Sequence, residues 1–270
     1  MSVKNMIQPN IDMVRYYACG YCVNHMGFIV HNPKEKKRAF PAGVYLLHHV
    51  KYGYILFDTG YSERNYKCGW KGMLYRLLNP THITKKETVA EQLRKDGIAA
   101  KDIRYIILSH LHPDHIGGLK DFPNAKLVCS MDCFKQYKRG RLFDLIFTDL
   151  LPDDFEKRLY RVRKYDSKYA FFDGYDLFRD GSVILTDISG HSAGQMGAYL
   201  WEYRIFLGAD AAWGLEFLGR ADEMSKPARL VQYDFRAYQK TMETIRKMMD
   251  ARVSVYLSHE RNVKKDLIHE

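Results

Sequence analysis

The chain has 270 residues, 46% of them hydrophobic and 27% charged, a balance that suits a folded domain with a sizeable core and excludes a low-complexity or disordered polymer. Lys and Arg outnumber Asp and Glu by 42 to 32, a formal charge of +10, yet the cations are scattered and form no basic stripe of the kind nucleic-acid modules carry. A surface of that sign would instead steer an anionic small molecule.

The segment Met1–Arg15 carries Lys4 and then Gln8, Pro9, Asn10 and Asp12, where a secretory signal needs a continuous apolar run. No later run approaches the roughly 20 apolar residues that span a bilayer, so no membrane span and a cytoplasmic location are expected. Cys19 and Cys22 form an isolated C-x-x-C. With five cysteines in all, an odd number in a chain too long to depend on disulfides, they are expected to be reduced, half-buried thiols. The basic run Lys34–Arg38, set between Phe28 and Phe40, is expected to be a solvated turn joining two strands.

Val44–Leu47 and Tyr54–Phe57 are expected to be strands, with His48 and His49 in the connection before Gly53. Thr84 and Glu87 stand at capping-box spacing and predict a helix over 85–96, which Gly97 is placed to stop. Arg104–Ser109 predicts a buried strand that delivers His110 at its end. Three later runs end in the same way: Val183–Thr186 before His191, Ile205–Leu207 before Asp210, and Val253–Leu257 before His259. Ends of neighbouring strands share one rim of a sheet, where sites are commonly built. From Asp234 onward, Phe235, Tyr238, Met242, Ile245 and Met249 fall at helical spacing and predict an amphipathic helix against a sheet. His25, His31, His82 and His269 have no companion motif. With no linker-like stretch, residues 1–270 read as one domain of layered strands and helices.

His110, His112, Asp114 and His115 fall within six residues. Imidazoles and carboxylates are the ligands that suit zinc and neighbouring first-row metals. Adjacent residues on a helix diverge by about 100°, so a regular helix could not bring all four to one ion. A tight loop, permitted by Pro113 and the Gly117–Gly118 pair, could aim alternate residues at one ion and the remainder at another. Asp114 is also the candidate proton carrier, since one carboxylate oxygen can bind metal while the other accepts a hydrogen bond.

The sequence H-x-H-x-D-H over His110–His115, followed by Gly190-His191-Ser192, Gly208-Ala209-Asp210 and Ser258-His259-Glu260 and preceded by Asp58-Thr59-Gly60, resembles the metallo-β-lactamase superfamily. That resemblance implies an α+β chain folded as a four-layer αββα sandwich. It implies two divalent cations, zinc first and iron or manganese as alternatives, one held by His110, His112 and His191 and the other by Asp114, His115 and His259. Asp210 would bridge them, and Asp58 would support a ligand histidine from behind. The implied chemistry is hydrolysis by a hydroxide generated between the cations.

Within the superfamily the chain looks most similar to the N-acyl-homoserine lactone lactonases, the quorum-quenching branch, on its compact length, its Tyr45-Leu46-Leu47 strand and its Tyr256–Glu260 ending. A lactone or other carboxylic ester is therefore the expected substrate. The alternatives are a thioester, as in the glyoxalase II branch, a phosphodiester, or an iron-dependent redox reaction. Two features depart from the lactonases. Trp213 stands where they place a tyrosine, three residues after the bridging aspartate, and Trp offers only an indole N–H. The stretch 134–178, rich in interleaved aromatic and basic residues, is expected to pack its aromatics in a local helical subcore with its charges in water, to form a cap over the metal edge, or to do both.

Overall fold

The computed structural model describes residues 8–268, so Lys4 and His269 lie outside it. A seven-stranded sheet contains β1 (Ile11–His25), β2 (Lys37–His49), β3 (Gly53–Phe57), β4 (Thr81–His82), β5 (Ile103–Ile107), β6 (Lys126–Ser130) and β7 (Leu159–Val162) in the spatial order β4-β1-β2-β3-β5-β6-β7. Its first four strands pair antiparallel, and β3, β5, β6 and β7 run parallel. A six-stranded sheet contains β8 (Ser167–Lys168), β9 (Asp173–Asp176), β10 (Ile184–Asp187), β11 (Met196–Leu200), β12 (Ile205–Leu207) and β13 (Ser254–Tyr256), ordered β13-β12-β11-β10-β9-β8. Only its β12–β13 pair is parallel.

The period-two geometry of a strand explains how one run serves two cores. In β2, Tyr45 and Leu47 join the apolar cluster between the sheets, while Val44 and Leu46 join a second cluster on the sheet's other face. Helices α1 (Gly69–Leu78), α2 (Val89–Lys95), α3 (Pro113–Ile116), α4 (Met131–Arg139) and α5 (Phe155–Arg158) lie between strands of the first sheet in the chain, and Val89 and Leu93 of α2 and Cys133 of α4 pack into that second cluster. The last two helices, α6 (Lys226–Leu230) and α7 (Phe235–Asp250), cover the second sheet, with Tyr238, Met242 and Ile245 of α7 buried. The result is the four-layer αββα sandwich.

Several local expectations are corrected. His48 and His49 are the last residues of β2, paired with Tyr54 and Gly53, and only Val50–Tyr52 turn. His49 is fully buried because Asp180 takes its Nε2 at 2.9 Å. The Thr84–Glu87 capping box forms, but it caps a single 3-10 turn. Thr88 is extended, with its hydroxyl bonded to the Lys85 carbonyl, and the α-helix starts only at Val89. At the end of α7 the buried face steps to Met248, leaving Met249 exposed. The long strand β1 carries the C-x-x-C and is broken by a bulge near Gly20, whose φ is +79°. Both cysteines are fully buried rather than half-buried, Cys19 in the outer cluster and Cys22 between the sheets, so they share no site. Burial pushes the Cys22 thiol up to about 12, which leaves it protonated and inert.

Of the 134–178 stretch, β7 belongs to the first sheet and β8 and β9 to the second, while residues 140–158 form two 3-10 turns and α5. Among the described residues no helix is long and apolar enough to cross a membrane.

Candidate metal centre

Four chain segments that leave strand ends converge at one edge of the sandwich. Beyond β5, Leu108 N still pairs with Val128 O, and the chain then bends at Ser109. His110 and His112 then occupy a short loop, and Pro113 starts the one-turn α3 that carries Asp114 and His115. The cluster is thus half loop and half helical turn. Pro fits the first helical position because its missing N–H would have no partner there. Gly117 and Gly118 follow because a Cβ on either would lie 2.7 Å from a backbone oxygen of the Asp58–Gly60 turn.

His191 follows β10, Asp210 follows β12, and His259 follows β13. Backbone bonds Gly208 N to Tyr256 O and Ser258 N to Ala209 O lock the last two together, and Gly43 N donates to Ser258 O across the sheets. Ala209 holds a φ of +43°, a costly conformation for alanine, and it turns the chain so that Asp210 faces inward.

Two groups of ligand atoms result, each with its atoms within 4.8 Å of one another: His110, His112 and His191 in one, Asp114, His115, Asp210 and His259 in the other. All seven residues proposed from the sequence are there. In the first group, His112 Nδ1 lies 3.0 Å from both His110 Nε2 and His191 Nε2. In the second, Asp210 Oδ2 is 3.0 Å from His259 Nε2 and also 3.3 Å from His191 Nε2, so this carboxylate spans the two groups. His112 is the least buried of the seven and marks the open side.

The outward nitrogens settle the tautomers. His115 Nδ1 faces Asp58 Oδ2 at 2.8 Å, His191 Nδ1 faces Gln232 Oε1 at 2.9 Å, and His259 Nδ1 faces the Pro41 carbonyl at 2.7 Å. Each outer nitrogen must donate to an oxygen, which leaves the Nε2 lone pair directed inward, the arrangement expected of metal-binding histidines. Two buried atoms of the second group, His115 Nε2 and Asp210 Oδ1, have no hydrogen-bond partner although they stand only 3.2 Å apart. Converging lone pairs and unpartnered buried atoms are costly without a cation and are satisfied by one, so the residues fit divalent metals.

The charges agree. Burial, and then the surrounding imidazoles, hold His110 and His112 well below the usual histidine range, so both are neutral donors. Burial acts in the same direction on His115 and His259, but Asp210 and Asp114 outweigh it and raise both. The second group therefore has an excess of negative charge that a cation can take up. Asp58 is fully buried with a φ of +64°. It accepts from His115, from Ser109 N at 2.8 Å and from Ser109 Oγ at 2.7 Å, as expected for a residue that orients a ligand.

Sequence reasoning did not find Ser109, Gln232 or the Pro41 carbonyl. Ser109 might have been suspected as the neighbour of His110, but Gln232 stands in the α6–α7 connection, 41 residues from the histidine it holds, with no motif around it. Replacing Gln232 by Leu is expected to weaken metal binding at the first group by about 10–100-fold, read by competitive zinc titration, with the circular dichroism unchanged. Unaltered affinity would remove Gln232 from the site. Trp213 lies beside the first group, its ring meeting His191 edge-on with centroids 6.0 Å apart.

This fold, with a three-histidine group adjoining a histidine–carboxylate group at one sheet edge, defines a class of metalloproteins. The chain belongs to the metallo-beta-lactamase superfamily, whose family model matches residues 40–259. Among curated relatives, a probable metallo-hydrolase of Mycobacterium tuberculosis is 38% identical over 93 residues, 32% of this chain, but the match spans only 29% of that protein. The N-acyl homoserine lactonase AiiB of Agrobacterium fabrum is 27% identical over 221 residues, covering 79% of this chain and 78% of AiiB. Among solved structures, an N-acyl homoserine lactone hydrolase with N-hexanoyl-L-homoserine bound at its catalytic metal centre superposes with a TM-score of 0.74 at 18% identity, over 93% of this chain and 94% of that one. That likeness establishes the fold.

Proposed function

We propose that the protein is a dinuclear metal-dependent hydrolase that opens a lactone or cleaves another carboxylic ester. The observation that carries this reading is the pair of adjoining ligand groups spanned by Asp210. Five imidazoles and two carboxylates suit zinc, with iron or manganese as the alternatives. When bound, such a pair supplies a hydroxide at neutral pH and polarises the substrate carbonyl.

The chain's own residues do the rest. His110, His112 and His191 orient one side of the site, and Asp114, His115 and His259 the other. Asp114 sits with Oδ2 3.5 Å from His259 Nε2 and 3.6 Å from His115 Nε2, near enough to the second group to act as a ligand and to carry a proton from the attacking water to the leaving oxygen. Of the 134–178 stretch, only its first part, in α4, borders this edge as a cap. Gln136 of α4 accepts from Ser192 Oγ at 2.7 Å, and the Arg139 guanidinium lies over the ring of Tyr233, whose backbone N–H donates to the His191 carbonyl. The cap's cations, with the net charge, favour a small anionic substrate.

The lactone reading rests on AiiB and the lactone hydrolase structure, and on no residue that would distinguish a lactone from other esters. A role in quenching acyl-homoserine lactone signals follows only if that substrate is confirmed. The five buried, unpaired cysteines favour a cytoplasmic setting. Purified protein loaded with metal and assayed in parallel on lactones, carboxylic esters, thioesters and phosphodiesters tests the reading. Two zinc ions per chain with ester or lactone turnover support it, whereas one iron with oxygen consumption refutes it. In the same assay Trp213→Tyr, which returns a hydroxyl to the rim beside His191, is expected to raise lactone turnover about tenfold or more over the parent. No gain would show that this position does not limit lactone opening.

A further inference from the structure

Helix α1 is amphipathic in the wrong direction for a core helix. Trp70, Met73, Leu74, Leu77 and Leu78 fall at i, i+3, i+4, i+7 and i+8, one continuous stripe, and all five are exposed, Leu77 by 77% and Leu78 by 66%. The face turned to the protein is Gly72, which has no side chain and abuts Cys68, and half-buried Tyr75, whose hydroxyl meets that of Tyr61 at 2.9 Å. Tyr75 also meets Phe147 edge-on at 5.6 Å, and the 3-10 turn just before Phe147 carries Phe143, which is 92% exposed. An apolar stripe of this size on one exposed helix marks an interaction surface.

Charge identifies what covers it. Between Glu63 and Glu87 the sequence has no acidic residue but has Arg64, Lys67, Lys71, Arg76, Lys85 and Lys86. Arg64 is engaged by Asp121 and Arg76 donates to the Asn65 carbonyl, which among the described residues leaves Lys67 and Lys71 as the free cations beside the stripe, while Arg141 precedes the Phe143 turn, whose Asp144 is offset by Arg139. A symmetric pairing of two copies through α1 would set these cations against each other. An anionic lipid surface would attract them and take up the apolar side chains, with Trp70 at headgroup depth.

We propose that α1 and the Phe143 turn dock the protein reversibly on anionic membrane surfaces. The step is peripheral, requires no spanning segment and does not depend on the reaction catalysed. Its test is co-sedimentation of the purified full-length protein with phosphatidylcholine vesicles, with and without phosphatidylglycerol. Binding to the anionic vesicles is expected to exceed binding to the neutral ones by about tenfold and to fall with added salt. The Leu77→Ser/Leu78→Ser and Lys67→Glu/Lys71→Glu variants, all at exposed positions, are each expected to lose about tenfold in binding with unchanged circular dichroism. Quenching of tryptophan fluorescence by brominated lipid, abolished in Trp70→Ser, provides a second readout. No preference for anionic vesicles, or binding that the variants leave intact, overturns the proposal. So does a dimer in sedimentation equilibrium that Leu77→Ser/Leu78→Ser dissociates, which would assign the face to a second copy.

Discussion

Asp114→Asn is expected to lower turnover by about 10²–10⁴-fold, the range for loss of a positioned proton carrier. Asparagine keeps the size and one carbonyl oxygen of the native side chain but cannot take up a proton near neutral pH. Asp114 is only 6% exposed, on a one-turn helix pinned by Asn65 Nδ2, which donates to the Pro113 carbonyl at 3.0 Å, so the variant should keep its backbone in place. Metal content separates the two roles assigned to this residue. Turnover lost with two metals retained makes Asp114 a proton carrier, whereas turnover lost with one metal makes its ligand role dominant. Full turnover with both metals would eliminate both roles.

The second large effect is expected at Asp58. Its carboxylate is fully buried and accepts three hydrogen bonds, from His115 Nδ1 and from the Ser109 amide and hydroxyl. Asp58→Ala strips all three donors of their acceptor and places alanine at a positive φ, so a loss of about 3–5 kcal/mol in urea unfolding is expected. With its rear acceptor gone, His115 is free to rotate or change tautomer, and metal affinity should fall by about 10–100-fold as well. Asp58→Asn tolerates the left-handed backbone and is expected to keep more stability while still losing metal affinity, because its amide can present either an acceptor to His115 or a donor, not the carboxylate's full set. A stable Asp58→Ala protein that binds metal normally would show that His115 is oriented by something else.

The ligands could be read from sequence for a physical reason. Each follows a short β-branched or aromatic run, and such runs form strands whose ends must lie on a common rim. The supporting partners could not be read this way. Gln232, Ser109 and the Pro41 carbonyl meet their histidines only after the chain has folded, and no periodicity relates positions 191 and 232. Local expectations failed where a single residue changed the geometry: Thr88 resumes extended backbone inside an apparent helix, and the Gly20 bulge disrupts the alternation that would have revealed β1. For α1, helical spacing identifies a stripe but cannot say which way it faces. That is decided by contacts distant in sequence, where Tyr75 on the opposite face meets Tyr61 and Phe147.

The seven donors are contributed by both sheets and run from His110 to His259. During synthesis, His110, His112, Asp114 and His115 leave the ribosome before His191, Asp210 and His259 exist, so neither candidate ligand group is complete until those later segments follow. The centre is completed only when β13 adds itself beside β12 and brings His259 up to the Pro41 carbonyl, near the far end of the chain. If the two groups hold cations as proposed, filling of the second is therefore tied to β13, and a chain that stops short of it lacks His259, one of that group's four candidate ligands.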